Sequence, residues 1–116
     1  DEVSTLGATQ VAELKDGKIT TFEVTPADAG LPSAKLEDLV GGDREHNAAV
    51  LRAMLEGEHS AYRDIVVMGS AAALVIAGKA ADLKAGAALA AEAIDSGRAL
   101  DALNKLVRIT NETVPA

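Results

Sequence analysis

The sequence begins with two adjacent carboxylates, Asp1 and Glu2, whose chemistry is the most suggestive in the chain. Neighbouring acidic side chains can hold Mg2+ jointly with substrate phosphates, because the ion takes hard oxygen ligands and keeps several of its waters. A solvated acidic segment is the alternative reading of the same pair, since metal sites usually draw on more convergent ligands. His46 and His59 lie on either side of Gly57, and neither has a ligating residue four positions further on. They read as surface histidines rather than as metal ligands or general bases.

Gly41-Gly42-Asp43 precedes an apolar-periodic stretch and could cradle a phosphate, because free backbone N–H groups point outward at a helix start. It lacks a longer glycine pattern, a preceding strand and a nearby Lys or Ser/Thr, and Asp43 would repel an anion. Loop freedom and helix capping are therefore the expected roles. Asp43-Arg44-Glu45 reads as a capped, charged first turn. Gly69-Ser70 falls inside a helical pattern and not at a strand-to-helix turn, so Ser70 is no nucleophile elbow. With no Cys in the chain, thiolate chemistry, disulfides and Cys-based zinc sites are excluded, which fits a reducing cytoplasm.

The elements that must position these residues start with two strands, Thr9–Lys15 and Lys18–Val24, around Asp16-Gly17. A two-residue Asp-Gly connection favours the positive φ angles of a type I′ turn, which predicts a hairpin pairing Leu14 with Ile19 and Val11 with Phe22. Both faces of that ribbon carry apolar side chains, and a two-stranded ribbon needs a partner surface in water. Pro26, Gly30 and Pro32 predict a loop over 25–42, with one helical turn at 35–39. A short amphipathic helix over 43–55 follows, with Ala49, Val50, Leu51, Ala53, Met54 and Leu55 as its stripe and Gly57 as its stop.

The second helix, 61–77, is apolar on nearly every side from Ile65 onward and is expected to be surrounded by protein. The run 65–78 falls short of the ~20 residues that a membrane-spanning helix needs. A third helix, 83–96, is capped by Asp82 and stopped by Gly97. Its small residues Ala85, Gly86, Ala88, Ala91 and Ala93 permit close backbone approach. A fourth, 98–110, places Leu100, Leu103, Leu106 and Val107 on one face. A hairpin and four helices cannot cover both sides of the ribbon, which points to a parallel α/β sheet supplied by residues upstream. A start at Asp1, with no initiator Met and no leader pattern, points the same way.

The chain has 116 residues, 48% of them hydrophobic, with one Tyr, one Phe and no Trp, so its core must be built from aliphatic side chains and alanine. A formal charge of −7 and scattered basic residues argue against a nucleic-acid partner, which needs clustered Lys and Arg.

Three stretches, taken together and in order, resemble anthranilate phosphoribosyltransferases. Asp1-Glu2-Val3-Ser4-Thr5-Leu6-Gly7-Ala8-Thr9 resembles the family stretch in which an Asp-Glu pair is followed by a Ser/Thr-rich Gly-x-Thr segment and the hairpin. Gly41-Gly42-Asp43-Arg44-Glu45-His46-Asn47-Ala48 resembles the family's Gly-Gly-Asp-x-x-x-Asn-Ala helix start. Ala71-Ala72-Ala73-Leu74, Ala77-Gly78-Lys79 and Glu92-Ala93-Ile94-Asp95-Ser96-Gly97-Arg98-Ala99-Leu100 resemble its closing helices.

The resemblance implies an α/β fold for the intact enzyme, of the nucleoside phosphorylase/phosphoribosyltransferase-like C-terminal domain type. Residues 1–116 would form the C-terminal part of that domain, a β-hairpin followed by four α-helices taken alone. The N-terminal helical domain, through which the family forms homodimers, and the glycine-rich phosphate-binding loop are absent from the chain. The implied activity is transfer of phosphoribosyl from 5-phosphoribosyl 1-pyrophosphate to anthranilate in cytoplasmic tryptophan biosynthesis. The implied metal is Mg2+, held by Asp1 and Glu2. No catalytic residue is implied within the chain, and no nucleic-acid or membrane partner. The rivals are a pyrimidine nucleoside phosphorylase, which needs no magnesium–pyrophosphate site, a non-catalytic nucleic-acid-binding relative of the fold, and a free-standing helical interaction module.

Overall fold

The computed structural model describes residues 2–115. It opens with an irregular segment and a bend, then the antiparallel hairpin of β1 (Thr9–Lys15) and β2 (Lys18–Val24). Leu14 faces Ile19 and Val11 faces Phe22, the register set by a turn in which Asp16 (φ 52°) and Gly17 (φ 77°) both take positive φ. Asp and Gly tolerate that geometry, and it matches the right-handed twist of the flanking strands. Gln10 and Glu23, opposite each other, are joined side chain to side chain.

A 3-10 turn over Pro26–Ala29 follows, inside the stretch expected to be loop. The Asp28 carboxylate accepts from the Thr25 backbone N–H at 2.7 Å, and Pro26 presets φ at the first helical position. Pro26 and Ala29 are buried, so the turn plugs the α2 and α3 side of the core. A second 3-10 turn, Leu36–Asp38, lies where one helical turn was expected.

The four expected helices are present: α1 (Arg44–Leu55), α2 (Ala61–Ile76), α3 (Leu83–Asp95) and α4 (Arg98–Thr110). Three begin on side-chain caps. Asp43 accepts from the His46 N–H at 2.8 Å, Ser60 from that of Arg63 at 3.1 Å, and Asp82 from that of Ala85 at 2.8 Å. Gly97, at φ 84°, both ends α3 and begins α4. Its left-handed conformation satisfies the last turn of one helix, and its carbonyl accepts the first bond of the next, from the Asp101 N–H at 3.0 Å.

The core is one cluster: Ala29, Met54, Leu55, Val67, Met68, Ala71, Ala87, Ala90 and Ile94. Helices α2 and α3 cross closely, and a Cβ built on Gly86 would lie 2.7 Å from the Ala71 carbonyl oxygen. Close approach through small residues was expected, but α3 buries Gly86, Ala87, Ala90 and Ile94 while Ala85 and Ala88 face outward. On α1 only Met54 and Leu55 of the anticipated stripe are buried and Ala49 is exposed.

Within the described residues, helix α2 is enclosed on one side only. Val67, Met68 and Ala71 are buried, but Gly69 and Ala73 are exposed and Ile76 is 87% exposed. The physical reason is a shortage of layers: within these residues α3 and the Pro26–Ala29 turn cover one side of α2, and the two-stranded ribbon is too small to cover the other. The ribbon is itself poorly covered, with Leu14 71% and Ile19 73% exposed, and an apolar groove of about 360 Å3 separates it from the end of α2. The radius of gyration, 16.0 Å, exceeds the roughly 13 Å of a compact domain of this length. No helix among the described residues is long and apolar enough to cross a membrane.

Candidate metal centre

Of the carboxylate pair, Asp1 lies outside the described residues, and Glu2 is exposed on the irregular segment that leads into the hairpin. Val3 packs against the core cluster and Thr5 is wholly buried, while Glu2 stays on the solvent side. Hydrogen bonding with its own backbone N–H holds its carboxyl below the ordinary glutamate value, so it is ionised well below neutrality.

Behind Glu2 the segment is stapled. Ser4 N–H donates to the Thr9 hydroxyl at 3.0 Å, Leu6 N–H donates to the Ser4 hydroxyl at 3.0 Å, and Ala34 N–H donates to the Thr5 carbonyl at 2.8 Å. The Thr5 hydroxyl has no hydrogen-bond partner among the described residues. These bonds join the acidic segment to the start of β1 and to the loop before α1, so the fold fixes where Glu2 is presented.

The other candidates keep the structural roles expected of them. His46 and His59 are exposed. The first turn of α1 is capped by Asp43, and Arg44 Nε donates to Glu45 Oε1 at 2.7 Å, which lowers the Glu45 pKa. Gly42 N–H donates to Asn47 Oδ1 at 2.9 Å and Asn47 Nδ2 donates back to the Gly42 carbonyl at 3.1 Å, so Asn47 clamps the Gly-Gly turn. A Cβ on Gly41 would sit 2.8 Å from that Asn47 oxygen. The Gly-Gly-Asp signal thus describes a helix entry closed by Asn47, with the Gly42 donor spent inside it. Ser70 lies within α2.

One constellation had no counterpart in the sequence reading. Arg63, whose side chain is 4% exposed, forks onto Asp95 with Nη1–Oδ1 2.9 Å and Nη2–Oδ2 3.1 Å, joining the start of α2 to the end of α3. The guanidinium holds the Asp95 carboxyl below its ordinary value. Burial raises that of the adjacent Asp64, against the opposing charges of Arg63 and His59. An Arg and an Asp thirty-two positions apart leave no local signal, although an Arg in the first turn of an otherwise apolar helix hints at a buried partner. The described residues contain no cluster of three or more His, Cys, Asp or Glu able to hold a metal by themselves.

A family model described as glycosyl transferase family, a/b domain, matches residues 1–100. The chain belongs to that family. Within it, the chain is 62% identical over 111 residues to an anthranilate phosphoribosyltransferase of Parvibaculum lavamentivorans, covering 96% of this chain and 33% of that protein. It is 59% identical over 109 residues to one of Rhodospirillum rubrum, covering 94% and 31%. It therefore spans about a third of the length of these relatives. Among solved structures, the anthranilate phosphoribosyltransferase of Thermus thermophilus superposes with a TM-score of 0.80 at 39% identity, over 89% of this chain and 31% of that one. A Saccharomyces cerevisiae variant with Mg bound gives 0.82 at 29%, over 90% and 31%. The family resemblance seen in the three sequence stretches is borne out, as is the hairpin followed by four helices.

Proposed function

We propose that this chain is the C-terminal part of the α/β domain of an anthranilate phosphoribosyltransferase, which joins anthranilate to 5-phosphoribosyl 1-pyrophosphate with loss of pyrophosphate, in tryptophan biosynthesis. The observation that carries the reading is 62% identity sustained over 111 residues with a relative of that name. The helical domain, the homodimer contact it makes and the phosphate-binding loop belong to the longer protein, which works in the cytoplasm.

Asp1 and Glu2 are the residues of this chain that hold Mg2+. The donor chemistry fits: Glu2 offers an exposed, ionised carboxylate, and Mg2+ is commonly held by one or two carboxylates plus substrate phosphates and water, without an all-protein cage. The S. cerevisiae structure with Mg bound supports the same ion. When bound, Mg2+ supplies neutralisation of the charge that develops on departing pyrophosphate. The chain's own contribution is to present Glu2 at a fixed place, and α1 to α4 are the scaffold that does so.

The test is loss of anthranilate fluorescence on incubating the full-length protein with 5-phosphoribosyl 1-pyrophosphate. Turnover is expected with Mg2+ and is abolished by a chelator. Metal-independent phosphorolysis of pyrimidine nucleosides, with anthranilate untouched, would replace this reading with the phosphorylase one. The 116-residue chain alone is expected to consume no anthranilate.

A further inference from the structure

We propose that Thr5 is a positioning residue for the Glu2 carboxylate, acting through the shape of its side chain and not through its hydroxyl; the inference rests on the magnesium role proposed for Glu2. Thr5 is 0% exposed and ranks with Met54 and Met68 among the largest fully buried side chains, although it lies in a bend outside every helix and strand. A polar residue in an irregular segment is ordinarily at the surface, because loop backbone needs water. Here the loop is drawn inward at this point. Ala34 N–H on the Thr5 carbonyl ties it to a segment nearly thirty residues away, and the Ser4 and Thr9 hydroxyls fold the chain around it.

Glu2 stands three residues before this anchor and one before Val3, which packs on the core. Val3 on the core and Thr5 within it are two inward-facing side chains that fix the height and rotation of the segment, so the direction in which Glu2 leaves the backbone is set by Val3 and Thr5. The Thr5 hydroxyl adds nothing to this, since it has no partner among the described residues. A buried hydroxyl that makes no bond can be replaced by a methyl group of the same shape without loss. Truncation to alanine removes the bulk that fills the site and lets the segment shift. Positions of metal-binding groups must hold to about half an ångström, so a small shift is felt at the metal before it is felt by the fold.

The experiment measures Mg2+ binding in the presence of inorganic pyrophosphate by calorimetry, together with the thermal midpoint, on full-length wild type, Thr5→Ala and Thr5→Val. Thr5→Ala is expected to weaken Mg2+ binding about tenfold, the lower end of the effect of disturbing the support of a metal ligand. Thr5→Val is expected to bind as wild type does, with an equal or higher midpoint. Thr5→Ala that lowers the midpoint but binds Mg2+ normally would reduce Thr5 to a packing residue, and failure of Thr5→Val to restore binding would show that the hydroxyl is needed; either overturns the proposal. A wild type that binds no Mg2+ with pyrophosphate would instead overturn the metal role of Glu2, and this inference with it.

Discussion

Replacing Gly86 with alanine tests the tight crossing of α2 and α3, where two general effects oppose each other. Helix propensity alone favours the substitution by about 1 kcal/mol, because glycine in a helix interior loses more backbone freedom than alanine. The crossing disfavours it. The new Cβ would lie 2.7 Å from the Ala71 carbonyl oxygen, 2.9 Å from its Cα and 3.1 Å from its Cβ. Optimal contacts begin near about 3.5 Å, so the first of these falls short by roughly 0.8 Å. The oxygen and Cα belong to the α2 backbone and cannot rotate away, so the helices must separate. A gap of that size forfeits a quarter to a half of each dispersion contact it opens, and Ala71, Ala87 and Ala90 line the crossing. Overpacking of this kind costs about 1–3 kcal/mol, and a backbone obstacle belongs at the upper end, leaving a net loss of about 2 kcal/mol after the propensity gain. Gly69 on α2 is the control, because a Cβ there meets nothing within 4 Å and Gly69→Ala should gain about 1 kcal/mol. Urea unfolding of the full-length protein, followed by far-ultraviolet circular dichroism, reads both. A Gly86→Ala chain as stable as Gly69→Ala would refute the reasoning.

Four further variants have outcomes set by other parts of the structure. Glu2→Gln in the full-length protein should weaken Mg2+ binding with pyrophosphate by about tenfold or more, and unchanged affinity would remove Glu2 from the metal site. Asp95, its pKa lowered by Arg63, contributes stability that is present above its unfolded value near about 4 and is lost as pH falls through the lower folded value. Asp64 has the opposite sign: its folded pKa is raised by burial, so its ionised form opposes folding above that value and the opposition is relieved as pH falls through it. Asp95→Asn should therefore flatten the acid limb of the stability profile and Asp64→Asn should raise stability at neutral pH; a profile unchanged by either contradicts the assignment. Asn47→Ala removes both bonds to Gly42 and should cost about 1 kcal/mol, with faster hydrogen exchange at the Gly42 amide. Unchanged exchange there would show that the clamp does not hold the turn.

What the sequence disclosed was governed by how local the cause was. Asp16-Gly17 is sufficient to fix the hairpin register, because the turn geometry needs positive φ at both positions and the pairing follows from it. Asp43, Asp82 and Gly97 mark helix ends through bonds made within a few residues. The 3-10 turn over Pro26–Ala29 is also local, but Pro26 and Gly30 read as breakers of regular structure, and the turn depends on the Asp28 carboxylate that caps it. The buried face of α3 and the Arg63–Asp95 fork depend on which helix lies opposite, and no spacing within one helix reveals that. The same limit applies to the acidic pair. Its chemistry was visible from residue type alone, whereas the anchor behind Glu2 needs Ala34 and Thr9 in place around Thr5.

Gly97 has a consequence for the far end of the chain. Only Ser96 and Gly97 lie between α3 and α4, so there is little linker in which an angular error can be absorbed, and the half-buried Ala99, Leu100 and Leu103, all in the first half of α4, are what hold it to the core. Thirteen residues at about 1.5 Å each make an arm of roughly 20 Å, so a change of about 10° in one dihedral of Gly97 carries the tip by about 3 Å on that length. The tip of the last helix amplifies any turn at Gly97 that the packing of Ala99, Leu100 and Leu103 does not resist, and its aim depends also on how firmly the end of α3 is held, where the Arg63 fork on Asp95 has its grip.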